Sequence, residues 1–520
     1  MPEQSQVFGR VRSFFWPIYS YELKKLLPMM LIFFLVSFNY NVLRNLKDAL
    51  IVTAKSSGAE VIPFIKVWVM LPMAIVMTLI FTKLCSKVGT RKAFYIIIVI
   101  FLSYFFIFTV FLYPNQHALH LHGLADYLQD VFPLGAKGFV AMLRYWMFTL
   151  FYVMAELWSN IVLSVLFWGF ANEITKVSEA KRFYGLFGLI ANISGVIAGK
   201  ISLMACYGKF KMFITYGTTP WEQTLFNLLF IIFISSFLIM LIHRWICKNV
   251  ITDPNCVDSQ DMLCHKKKKM PKFSLRESIT YLSRSTYVLY IAIIVVVYNL
   301  IINLLEVLWK DQVKMLYPSP QDFMAYMNKV TMWTGFVATF IAIFITSNAL
   351  RKLGWTKTAM ITPLVLLVTS LSFFSMLFYG HTHLSSIIIS FGSNPLLCIV
   401  LLGTVNNVMS RASKYTVFDA TKELSFIPLS KDIKYQAKAA IDGVGSRFGK
   451  SGGSLVHQTL LIFFSSISSS APYIAIIFLL ALTCWILAVR FLGQEFKVLT
   501  QSTEEQDQAP LKPSPVASTP

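Results

Sequence analysis

Apolar stretches separated by short basic joints fill this chain from about residue 27 to residue 494. They fall at 27–46, 62–83, 93–113, 141–170, 183–206, 224–246, 286–309, 327–349, 358–380, 386–410, 437–467 and 471–494. At about 1.5 Å of rise per residue, stretches of roughly 20 residues cross the hydrocarbon core of a bilayer as helices, so twelve spans are predicted. Polar residues inside two of them are not scattered. Asn299, Asn303, Glu306 and Lys310 recur at i, i+4, i+7 and i+11, which places them on one stripe of a helix. Ser37, Asn41, Arg44 and Asp48 repeat that spacing in the first stretch, and both stripes run into a Lys-Asp pair, Lys47-Asp48 and Lys310-Asp311, with a one-residue slip. Lipid does not accept a carboxylate two or three turns into hydrocarbon, so each stripe faces protein or a water-filled cavity. A polar clamp between helices is the plainer reading; two matching stripes in corresponding places point to a duplicated transporter with a substrate path.

Composition removes other classes. Hydrophobic residues make up 56% of the 520 and charged residues only 14%, and the mean hydropathy of +0.63 is far above that of a soluble domain. The expected fold is all-α and polytopic. The net charge of +21 does not signal nucleic acid, because the basic residues sit in joints such as Lys83 to Lys92, Arg351 to Lys357 and Arg411 to Lys438, with no groove-sized domain. By the positive-inside rule these joints, and with an even number of spans both termini, are cytoplasmic. Seven cysteines lack paired spacing, and Cys256, Cys264 and His265 lack a second pair, so the thiols read as reduced and no metal or cofactor is implied. No cleavable signal is read in residues 1–20.

The joints divide the chain. A cytoplasmic segment, 1–26, precedes a six-helix bundle at 27–246; a basic linker at 247–285 leads to a second bundle at 286–495; and 496–520, rich in Gln, Glu, Ser and Pro, reads as a disordered cytoplasmic tail. The halves echo each other at Lys87-Val-Gly89-Thr-Arg91-Lys92 and Lys352-Leu-Gly354-Trp-Thr-Lys357, a tight glycine turn between basic residues. This joint resembles the glycine-and-basic signature of the major facilitator superfamily, without its usual Asp. It implies a 6+6 facilitator-like arrangement around a central cavity.

Charges within the spans are the candidate chemistry. Lys66 lies one turn after Pro63, at a helix N-terminus that welcomes an anion, although a lysine there also snorkels readily to the interface. Arg144 and Glu156 share a stretch but are twelve residues apart, so each needs a partner on another helix. In 437–467, Gly445, Gly449 and Gly453 form a flat face for helix packing, beside a polar face of Asp442, Ser446 and Lys450. Gly449-Lys450-Ser451 is not a phosphate loop, because the position five residues before Gly449-Lys450 is Val444 rather than glycine. Lys450 reads instead as a point charge for phosphate in a membrane cavity. His117, His120, His122 and Asp126 form only a loose external cluster, which reads as a solvated loop rather than the site of a membrane transferase. A channel would show a pore-lining ring rather than two halves.

Asn41-Val-Leu-Arg44-Asn-Leu-Lys47-Asp48, Ile62-Pro63-Phe-Ile-Lys66, Phe151-Tyr152-Val-Met-Ala-Glu156-Leu-Trp158, Phe167-Trp168-Gly169-Phe170-Ala-Asn172, Lys414-Tyr415 to Asp419 with Lys422-Glu423, and Lys438 to Gly453 resemble the ATP/ADP translocases of plastids and of energy-parasitic intracellular bacteria. The resemblance covers roughly residues 20–495. It implies an antiporter exchanging ATP for ADP, possible phosphate transport, and a home in the inner membrane of an intracellular bacterium; a proton-coupled or broad-specificity nucleotide carrier is the alternative. The functional residues it implies are Lys66, Glu156, Glu306 and Lys450, with Arg144 and Asn303; of these Lys66, Lys450, Glu306, Asn303 and Arg144, together with Asn299 of the polar stripe, are the expected substrate residues. Glu156, Glu306, Arg44 and Asp442 are expected to gate or couple. Glu306 and Arg44 are expected to face each other across the cavity, and Asn299, Asn303, Tyr152 and Tyr298 are available to adenine.

Overall fold

A computed structural model of the chain describes residues 18–250 and 285–508, apart from 176, 210–214, 381, 383, 391, 430–433 and 435–436. Among the described residues every regular element is helical. Eleven helices are long and apolar enough to cross a membrane: α1 (Ser20–Val52), α2 (Val61–Val88), α3 (Thr90–Leu112), α4 (Trp146–Ile174), α5 (Arg182–Cys206), α6 (Pro220–Asn249), α7 (Thr286–Leu316), α8 (Pro320–Thr346), α9 (Lys352–Tyr379), α10 (Pro395–Ser425) and, last in the chain, α12 (Ile467–Thr500). The stretch expected at 437–467 forms a π-helical turn, Ala439–Gly445, running into α11 (Ser446–Phe464). Its charges and glycines leave α11 too polar to qualify by hydropathy. They also explain its place: a Cβ on Gly449 would strike the Val296 carbonyl and come within 2.7 Å of Asn299 Cβ, and one on Gly453 would lie 3.0 Å from the Leu300 carbonyl. The glycine stripe thus lets α11 lie directly on α7.

Helix α1 packs on α4, α5 and α6, and α7 packs on α10, α11 and α12; α5 meets α8 and α2 meets α11 where the halves join. Gly199 and Gly335 draw α5 and α8 close enough that a Cβ on either would collide with the other helix's backbone. Asn45 of α1 adds hydrogen bonds to Asn328 and Thr331 of α8, each 2.8 Å. The paired glycine turns are present in both halves. Gly89 has φ +81° and Gly354 φ +74°, a conformation that costs other residues a steric clash.

Three boundaries differ from the hydropathy reading. Helix α10 begins at Pro395 and continues to Ser425, well past 410, because Arg411, Lys414, Asp419 and Lys422 line an internal cavity rather than face lipid. Helix α4 begins at Trp146; Tyr145, with φ −103° and ψ 48°, breaks the apolar stretch and leaves Lys137–Arg144 as a separate loop helix. The last helix continues to Gln508, into the tail expected to be disordered from 496, while 509–520, residues 1–17 and most of the linker, 251–284, lie outside the described residues.

Candidate functional site

Between the halves is a cavity of about 400 Å³. Its walls come from α1 (Tyr40, Arg44, Lys47), α2 (Lys66), α4 (Tyr152, Glu156, Ser159, Leu163) and α7 (Val295 to Glu306). Helix α10 adds Arg411, Lys414, Tyr415, Phe418, Asp419 and Lys422, and the π turn with α11 adds Asp442, Ser446 and Lys450. Among the described residues seven basic side chains face four acidic ones, a surplus of three positive charges. Four π-helical segments carry or adjoin these residues: Ile65–Met70, Trp158–Phe167, Lys414–Phe418 and Ala439–Gly445. A π turn shifts the register of a helix face, and such segments concentrate at functional sites.

A chain of alternating charges closes one end of the cavity. Glu156 of α4 accepts from Lys47 of α1 at 3.0 Å, and Lys47 also lies 3.0 Å from Asp48. Lys310 of α7 approaches Asp48 at 2.7 Å, a charge contact outside hydrogen-bond alignment, and lies 2.7 Å from Glu306. Glu306 in turn meets Arg411 of α10 at 3.0 Å and Arg44 of α1 at 4.0 Å. Asp48 and Lys310 are 0% and 1% exposed, so this network is solid protein rather than a hydrated surface. No lining residue of α1 lies beyond Lys47, and none of α7 beyond Glu306. The seal continues past the network. Lys314 of α7 donates to the Ser57 carbonyl, and Gly135 of the loop sits against the backbone of Leu461 and Ile462 at the end of α11.

Two lysines on the wall are not held in ion pairs among the described residues. Lys66 donates to Asn303 Oδ1, and Asn303 Nδ2 donates to the Lys450 carbonyl at 2.9 Å and to Ser454 Oγ at 2.7 Å. Asn303 therefore ties together α2, α7 and α11 beside two ammonium groups, with Lys450 exposed to the cavity. Asn299 lines the same wall, its amide bonded to the Val295 carbonyl. At the opposite end from the seal, Lys422 bonds Asp442 at 2.8 Å and Lys414 bonds Asp419 at 3.3 Å.

One expected site residue is not in the site. Arg144 falls outside the span because of the break at Tyr145, and it pairs with Asp126 of the loop helix His122–Val131 at 2.6 Å. Tyr152 and Tyr298 are not free for adenine. Lys47 sits 3.6 Å over the ring of Tyr152, and Tyr298 is stacked on Phe418 at 4.6 Å. Asp48 and Lys310 are stripe positions in the sequence and Lys47 belongs to the Lys-Asp pair at the end of its stripe, none with an expected role, whereas Arg411 falls in an expected cytoplasmic joint. Its signal was present in the spacing: Arg411, Lys414, Tyr415, Phe418, Asp419 and Lys422 follow one helical face.

No cluster among the described residues has the three or more His, Cys, Asp or Glu groups that a metal would need. His120 of the external loop has no hydrogen-bond partner on either ring nitrogen among the described residues and packs against Tyr145 and Phe148 at 4.9 and 4.8 Å. Burial, and then His122 and His117, push its pKa down to about 4. An unfolded histidine titrates near 6.5, so the unfolded loop binds a proton that the folded loop refuses, and stability is lost as pH falls from about 6.5 toward 4. Hydrogen exchange across 116–150, corrected for intrinsic rates, is expected to accelerate over that window, and His120→Phe to suppress the change. Protection in the unaltered protein that stays flat over the window would refute the assignment.

The fold is similar to that of the E. coli xylose transporter in a partially occluded inward-open conformation, with a TM-score of 0.52 at 12% identity over 92% of this chain and 98% of that one. A bacterial homologue of the iron transporter ferroportin, inward-facing, also has a TM-score of 0.52, at 13% identity over 90% and 98%. Those likenesses show a facilitator-like bundle. In sequence the chain is 43% identical to ADP,ATP carrier protein 1 of Chlamydia trachomatis serovar D over 96% of this chain and 94% of that one. It is 39% identical to ADP,ATP carrier protein 1 of Rickettsia conorii, over 97% and 99%. Against the chloroplastic ADP,ATP carrier protein 1 of Arabidopsis thaliana it is 40% identical, over 95% and 78%. With the sequence profile of the TLC ATP/ADP transporters matching residues 1–496, this multi-pass membrane protein belongs to the TLC ATP/ADP transporter family.

Proposed function

We propose that the protein exchanges ATP for ADP across a bilayer by alternating access, through the basic cavity between its halves. The observation that carries this reading is the surplus of three positive charges on the wall, with Lys66 and Lys450 outside any ion pair among the described residues. Closing that cavity empty would bury uncompensated cations at a cost of several kcal/mol per ion. ADP brings about three negative charges and ATP about four, so either cargo nearly neutralises the wall and the empty carrier does not return. Exchange follows from that asymmetry. Lys66 and Lys450 hold the phosphates, with Asn303 and Asn299 beside them. Glu306, Arg44 and Glu156 form the gate at the sealed end, and Asp442 with Lys422 flanks the mouth. With the basic joints cytoplasmic, as expected in a bacterial inner membrane, the mouth faces the cytoplasm, both termini lie there, and the sealed end faces outward.

Uptake of labelled ATP into proteoliposomes tests this directly. It is expected to require internal ADP; equal uptake into vesicles without nucleotide would overturn exchange, and uptake driven by a proton gradient would favour a proton-coupled carrier. Labelled phosphate in the same vesicles decides whether phosphate is also carried. Lys450→Ala should weaken ATP binding by roughly ten- to a hundredfold, the value of a charge-assisted contact of about 1.5–3 kcal/mol, while Lys450→Arg keeps part of it. Unaltered affinity in Lys450→Ala would remove that lysine from the phosphate site.

A further inference from the structure

A nucleotide has a base as well as phosphates, and the cavity is built differently on its two sides. The unpaired lysines enter from α2 and α11, which pack on one another. Across from them, α1 and α10 pack on the α5–α8 pair and present Tyr40 and Tyr415. Other aromatic rings on the wall are already in use: Tyr152 lies under Lys47, and Tyr298 and Phe418 are stacked together and wedged against Trp485. Tyr415 is 43% exposed although it lines the cavity rather than facing lipid. It belongs to the π-helical segment Lys414–Phe418, whose widened turn changes which side chains project from α10. Lys414, drawn toward Asp419, lies over the ring 4.7 Å from its centroid, a longer approach than the 3.6 Å of Lys47 to the fully buried Tyr152, and the Tyr415 ring keeps an exposure that Tyr152 lacks. An open aromatic face in a membrane protein's centre, opposite two unpaired cations, has the form of a stacking surface for a heterocycle.

We propose that Tyr415 is the base-stacking residue of this carrier, holding the adenine ring against the α1–α10 wall while the phosphates sit at Lys66 and Lys450 on the other side. The inference rests on the nucleotide-exchange reading above. It assigns α10 the recognition of the base and α2 with α11 the recognition of charge. Because stacking reads a π face, the interaction favours nucleotides over inorganic polyphosphate more than it favours one purine over another.

Equilibrium binding of ATP and of inorganic tripolyphosphate, a base-free probe, to purified wild-type, Tyr415→Leu and Tyr415→Phe protein separates the roles. Tyr415→Leu is expected to weaken ATP binding roughly five- to a hundredfold while leaving tripolyphosphate within twofold, and Tyr415→Phe to recover most of the ATP affinity. Equal loss of both ligands would make Tyr415 structural and overturn the proposal, as would an unchanged ATP affinity in Tyr415→Leu. Failure of the nucleotide reading itself looks different: wild-type protein would then bind no ATP at all, whereas a carrier that moves ATP without exchange would still bind it and leave the Tyr415 comparison intact.

Discussion

Glu306→Ala is expected to cut ATP/ADP exchange by at least about a hundredfold. One carboxylate oxygen of Glu306 serves Lys310 at 2.7 Å, Arg411 at 3.0 Å and Arg44 at 4.0 Å. Lys310 would keep Asp48, but the two arginines would be left facing each other without a counter-charge. Removing one member of a buried ionic group costs about 3–5 kcal/mol, chiefly through the uncompensated survivors, whereas an exposed pair is worth under about 1 kcal/mol. Glu306→Gln keeps the volume and removes only the charge, so it should fold and still transport poorly. Exchange above a tenth of wild type by folded Glu306→Gln would show that the charge is dispensable. The geometry also changes what a charge swap can do. A simple Glu306–Arg44 pair would be restored by Glu306→Arg with Arg44→Glu, but an arginine at 306 would face Lys310 and Arg411, so no recovery is expected.

Much of this site was legible because helical spacing fixes which residues share a face. The stripes ending at Lys47-Asp48 and Lys310-Asp311 do meet: Lys310 of one lies on Asp48 of the other. The glycine spacing of 445, 449 and 453 likewise specified a close helix contact that hydropathy could not register. Other positions depend on information that no window average holds. Arg144 was misplaced by a backbone break at a single residue, Tyr145, whose own side chain is apolar enough to extend the stretch. Arg411 was misplaced in the opposite sense, because hydropathy counts a charge without knowing that Glu306 waits for it on another helix. Tyr152 and Tyr298 looked available as base ligands because sequence gives residue type but not occupancy of the ring faces.

Asp48 is the position where the two halves of the charge network are joined, and Asp48→Ala should lower thermal stability as severely as any substitution in the cavity. Its carboxylate is fully buried between Lys47 of its own helix and Lys310 of the other half. Lys47 retains Glu156 at 3.0 Å and Lys310 retains Glu306 at 2.7 Å, yet without Asp48 the two ammonium groups repel across the interface with no charge between them. The expected loss is again about 3–5 kcal/mol, seen as a lower melting temperature of the purified protein. Replacing both partners distinguishes a structural pair from a working one. Buried ion pairs replaced by apolar groups of similar volume often recover or exceed the original stability, so Asp48→Leu with Lys310→Met should melt close to wild type. That double variant should nevertheless exchange poorly, because an apolar seal at this end has no charges for the phosphates to compete with and nothing that loosens when nucleotide arrives. Wild-type stability in Asp48→Ala would dismiss the buried pair, and wild-type exchange in the double variant would dismiss the gate.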